Sequence, residues 1–126
     1  MSYNIDTFNL KEIKDLKIPV SALFMARADW HPERTANEDG TVTFEVFDDD
    51  SAIRGTVSVA GTEEILTVMS FSCCGEGSGH AMYDVFLPAF KRSTGTLTAS
   101  CVWEGGDSIN RLEVRDGKVT WVDIEI

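Results

Sequence analysis

Positive charge is what this chain has little of. Its 11 lysines and arginines face 21 aspartates and glutamates, for a net charge of -10 over 126 residues. A field of that sign repels nucleic acid and anionic membrane, and it favours a basic partner. Cysteine is also scarce, and badly spaced for a disulfide framework. There are 3: Cys73 and Cys74 are adjacent, and Cys101 stands alone. An odd count points away from a secreted scaffold and towards reduced thiols in a cytosol. No apolar run approaches the ~18 residues that a membrane helix needs. Lys11, Lys14 and Lys17 before the apolar stretch Ile18 to Met25, with Ala26 to Ala28 behind it, imitate an export signal. Asp6, Glu12 and Asp15 spoil the basic region, and Pro19 and Ser21 break the apolar one, so a cytoplasmic location is expected.

Histidine is limited to His31 and His80. Neither an H-x3-H pair nor spaced cysteine pairs occur, so the usual structural zinc patterns are missing. No Lys-Ser/Thr follows the glycines, which removes the P-loop. No metal and no cofactor is expected on these grounds. Asp48 to Ser51 resembles a calcium loop only in its acids, lacking the Gly and Glu of that motif. Paired carboxylates for glycoside hydrolysis lack an aromatic sugar platform around them.

The length suits one domain, residues 1–126, able to bury a core without staples. Asn9 and Glu12 look like a capping box, and Leu10, Ile13 and Leu16 follow helical spacing up to Pro19. A second short helix is expected over Val20 to Ala28, then a polar loop from Asp29 to Gly40. From Thr41 the period becomes two. Thr41 to Phe47, Ala52 to Ala60 and Glu64 to Phe71 read as strands, with turns at Asp48 to Ser51 and Ala60 to Glu63. After the glycine-rich stretch, Met82, Val85, Phe86, Ala89 and Phe90 have helical spacing, with Pro88 beginning or kinking the helix. Thr96 to Trp103, Ile109 to Arg115 and Lys118 to Ile126 are three more strands, and Asp116-Gly117 is a hairpin turn. The expected class is α+β, an antiparallel six-stranded sheet in the order α-β-β-β-α-β-β-β, with helices on one face. Similar strings at Gly40 to Val46 and Gly95 to Cys101 suggest a pseudo-repeat of 40–71 in 95–126.

The segment "SCCGEGSGH", Ser72 to His80, has the look of chemistry. A strand, a glycine loop and a helix is a layout that binds anions. Here Glu76 sits where a phosphate would go, and no basic residue precedes His80. A thiolate at a helix start is a nucleophile, so Cys73 or Cys74 with His80 as base is an alternative active site. Convergence of Cys73, Cys74, His80 and His31 on a metal would need adjacent cysteines to point the same way. The simplest reading is a connector, with Cys101 as a core residue.

The acids point elsewhere. They cluster at Glu38 and Asp39, at Asp48, Asp49 and Asp50, at Glu63 and Glu64, at Glu104 and Asp107, and at Asp123 and Glu125. Phe47 and Trp121 alternate with polar positions and suggest aromatic anchors among acids. The expectation is a non-enzymatic binding protein whose partner site uses Phe47, Trp121 and the clusters from Asp48 onward. Its partner would be a basic protein, a toxin domain or a nucleic-acid-binding protein. An immunity protein against a toxin nuclease fits best; a phage-type inhibitor mimicking nucleic-acid charge is the alternative. The last strand also offers an edge for a homodimer.

Overall fold

The computed structural model describes residues 4–24, 31–47, 51–75, 77–105 and 108–125. Among the described residues eight strands lie in one antiparallel sheet: β1 (Ile5–Pro19), β2 (His31–Ala36), β3 (Val42–Phe47), β4 (Ser51–Ala60), β5 (Glu63–Cys73), β6 (Thr94–Trp103), β7 (Ser108–Arg115) and β8 (Lys118–Glu125). Their order is β2-β3-β4-β5-β1-β6-β7-β8. A 3-10 turn, Val20–Phe24, follows β1. The helical segment joins β5 to β6 as an α-turn Ser78–Ala81, a π-turn Met82–Phe86 and an α-turn Leu87–Phe90. Pro88 has no N–H to give the Asp84 carbonyl, which accounts for a widened turn just before it. No helix among the described residues is long and apolar enough to cross a membrane.

Eight strands replace the expected six, and the first helix is absent. Residues Asn9 to Lys17 belong to β1, paired to β6 from Ile5↔Trp103 to Lys17↔Thr94. The ladder slips between Ile5/Thr7, Leu10/Glu12 and Lys14/Lys17. Each slip adds a residue and stretches the two-residue period, so inward positions fall at Phe8, Ile13, Leu16 and Ile18. That spacing imitates a helix. The second expected helix shrinks to the 3-10 turn, and its remainder lies outside the described residues. The expected loop from Asp29 contains β2, an edge strand with exposed residues from Pro32 to Ala36. Pro32 is tolerated there because an edge residue need not donate to a neighbour.

One face of the sheet carries the core. Phe44, Val46, Ile53, Leu66, Val68, Phe71, Leu97, Ala99, Cys101, Leu112 and Val114 are buried beneath Met82, Val85, Phe86, Ala89 and Phe90. Burying each such large side chain contributes about 1.5–3 kcal/mol. The ladder between β1 and β5 is short: only Lys17↔Thr67, Ile18↔Leu66 and Pro19↔Ile65 pair, with a lone bridge at Ile5↔Gly75. Between these points the two halves of the sheet meet through side chains, chiefly Phe8 edge-on to Phe71 at 5.1 Å.

Candidate functional site

The glycine-rich segment is an anchor for β1. Gly75 N–H donates to the Ile5 carbonyl at 2.9 Å, and Ser78 N–H to the Gly75 carbonyl at 3.2 Å. Gly77 N–H donates to Asn4 Oδ1 at 3.0 Å, and Ile5 N–H to Ser78 Oγ at 2.6 Å. Gly75 and Gly77 take positive φ, as those turns require. Three amides that an anion would use are therefore spent on the chain itself.

The cysteines and the histidine differ in their exposure. Cys73 is fully buried and its thiol donates to the Ser78 carbonyl at 3.3 Å. His80 is exposed, with Nδ1 4.0 Å from Asp84 Oδ2. Cys74 is half-buried. Burial pushes the Cys101 thiol up to about 12, so it stays protonated and unreactive at neutral pH. Among the described residues no group of three or more His, Cys, Asp and Glu is placed to hold a metal ion. Native protein is expected to expose at most one thiol to Ellman's reagent at pH 8, and all three in denaturant. Cys74→Ser should abolish the native reaction. Rapid labelling of Cys73 near pH 6 would contradict this arrangement.

The acidic positions separate into distinct groups. Glu64 accepts two hydrogen bonds from Arg34, both 2.7 Å, and these hold its carboxyl below the usual range. Arg34 also lies 5.0 Å over the Phe44 ring. Glu63 pairs with Arg92 at 3.7 Å. Both acids at the β4–β5 turn thus have internal partners. Asp48, Asp49, Asp50 and Asp107 lie outside the described residues. Glu104 is exposed beside Trp103, and its amide donates to the Asn4 carbonyl at 2.9 Å. Asp123 and Glu125 are placed through their backbone, at alternate positions from Trp121 and opposite Asn110 and Ser108.

Phe47 and Trp121 do not share a surface. Phe47 is half-buried and alternates with the buried Phe44 and Val46, so it faces away from the core. Trp121 pairs with the core residue Leu112 and packs against the core from β8, the last strand in the order. Its neighbours are two aromatic residues that sequence reasoning did not select. Tyr83 lies 5.9 Å from Trp103 and 6.5 Å from Trp121, and the two tryptophans are 6.1 Å apart. Trp103 ends a predicted strand; nothing in the local sequence ties Tyr83 to either tryptophan. Tyr83 is 56% exposed, so the trio forms a shelf open to solvent on one side. The Trp121 indole N–H is buried and has no hydrogen-bond partner among the described residues. A buried donor left in this state costs about 1–3 kcal/mol, and buried tryptophans ordinarily find an acceptor.

No family model matches the chain, and no curated protein or solved structure matches it either.

Proposed function

We propose that the protein is a binding protein that neutralises a basic protein partner, in the manner of an immunity protein against a toxin nuclease, and that the partner docks on the shelf of Tyr83, Trp103 and Trp121. The exposed aromatic shelf carries the proposal: Tyr83 is 56% exposed and lies 5.9 Å from Trp103 and 6.5 Å from Trp121. The rings supply large, stiff contact area of the kind that dominates binding energy. Glu104 follows Trp103, Asp84 follows Tyr83, and Asp123 and Glu125 continue the strand of Trp121. These acids, backed by the net charge of -10, would speed encounter with a basic surface more than they tighten the complex.

The test is association kinetics with a partner captured on immobilised protein and then purified. The expected partner carries net positive charge. Its association rate should fall at least tenfold, order of magnitude, between low and physiological salt. Tyr83→Ala, at an exposed position, should speed dissociation by about 30-fold, equivalent to ~2 kcal/mol, with little change in melting temperature. A neutral partner, an association rate flat in salt, or a complex indifferent to Tyr83→Ala would sink the proposal. Displacement of the captured partner by DNA would favour the charge-mimic form of the inhibitor.

A further inference from the structure

The sheet face opposite the core holds a feature at odds with the overall charge. The pairings place Lys14 opposite Thr96, Thr96 opposite Arg115, and Arg115 opposite Lys118. Paired residues share a face, and the inward neighbours Leu97 and Val114 are buried. Lys14, Arg115 and Lys118 therefore stand outward in one row across four strands, spanning about 14 Å at ~4.8 Å per strand. All three are exposed. Among the described residues none makes an ion pair, whereas Arg34, Arg92 and Arg111 do. Like charges directly opposite on adjacent strands are destabilising, and Arg115 and Lys118 are such a pair.

A groove of about 350 Å³ lies along this row, lined by Thr96, Thr98, Thr120, Glu113, Arg115 and Lys118. The one carboxylate in it is answered: Arg111 donates to Glu113 at 3.2 Å. What remains is two cations, a third at the end of the row, and three threonine hydroxyls. Guanidinium and ammonium groups with hydroxyl donors are the chemistry that holds phosphate oxygens. We propose that this groove binds a compact phosphate-bearing small molecule, held by Arg115, Lys118 and Lys14 with Thr96, Thr98 and Thr120. A long polyanion fits it poorly. The next row holds Glu12, Thr98, Glu113 and Thr120, and a nucleic-acid strand would meet the field of the whole acidic molecule.

The experiment uses inorganic pyrophosphate as probe, with sodium chloride at matched ionic strength as control. Binding to the folded state alone raises the melting temperature in a saturable way. A rise of about 4 °C beyond the chloride control is expected. The double variant Arg115→Thr, Lys118→Thr should lose at least tenfold in affinity. Its own melting temperature should stay level or rise, since a repulsive pair is gone. Amide shifts on the unaltered protein should concentrate at residues 94–98 and 113–120. An equal rise with chloride, shifts scattered over the surface, or a double variant that responds like the parent would each overturn the proposal. A nucleoside diphosphate bound more tightly than pyrophosphate would assign a phosphate ester as the natural occupant; equal affinities would assign the free anion.

Discussion

Phe71→Ala is expected to destabilise the fold by about 3–5 kcal/mol, a large share of the stability of a domain this size. Phe71 is 3% exposed and meets three other rings edge-on. Phe8 is at 5.1 Å, Phe86 at 4.6 Å and Phe90 at 5.1 Å. Each such pair contributes about 0.5–1.5 kcal/mol beyond the area it buries. The position also matters to the sheet. β1 and β5 pair over three residues near Pro19 and bridge once at Ile5↔Gly75, and Phe8 with Phe71 spans the stretch between. Alanine would open a cavity beneath the join of the two half-sheets, and the helical segment above would lose its central contact. Urea denaturation checks this through the shift in midpoint at constant slope. Phe71→Leu should cost clearly less, and a double-mutant cycle with Phe8→Ala should show coupling of about 0.5–1.5 kcal/mol. A Phe71→Ala loss below about 1 kcal/mol would mean that the rings do not carry the join.

The three-strand meanders either side of the helical segment were legible because their alternation is interrupted only once among the described residues, where Arg54 pairs with Ser70 and Gly55 with Val68. In β6, Leu97, Ala99 and Cys101 are buried and their neighbours are not. The Asp116-Gly117 turn was legible for a backbone reason: both residues take positive φ, which Asp-Gly supplies readily. β1 was not, because its bulges place apolar residues three apart, and three-residue spacing is also a helix signature. β2 was not, because an edge strand without a buried face carries no alternation to read. The site divides in the same way. Trp121 was visible as an aromatic residue among acids, while its assembly with Trp103 and Tyr83 depends on three separate elements meeting. Glu63 and Glu64 looked available for a partner because the arginines that engage them are remote in sequence, Arg34 lying 30 residues from Glu64. Charge counts read from sequence overstate a free acidic surface wherever such pairs form.

Gly95→Ala is expected to cost about 3–5 kcal/mol, combining a backbone penalty with a steric one. Gly95 has φ +84, in the left-handed region, where a residue with a Cβ loses roughly 1–2 kcal/mol. A Cβ here would also overlap the Asp15 carbonyl oxygen and lie 2.8 Å from the Leu16 amide nitrogen. Both are backbone atoms, so no rotamer change relieves the contact. Asp15 itself has φ +50, within the slip between Lys14 and Lys17. The same glycine ties down the β7–β8 hairpin: its N–H donates to Asp116 Oδ1 and its carbonyl accepts from the Asp116 N–H, both at 2.9 Å. Moving Gly95 away from β1 would therefore strain the hairpin that carries Lys118 and leads into Trp121. Gly61→Ala is the control that separates the two penalties. Gly61 has φ +67, but a Cβ there meets nothing within 4 Å. It should cost only the backbone term, about 1–2 kcal/mol. The excess at Gly95, read from paired urea denaturation curves, measures how closely β6 is seated against the bulge of β1. Equal losses at the two glycines would show that β1 yields without cost at Asp15, and that the bulge is not what fixes the register of the central strands.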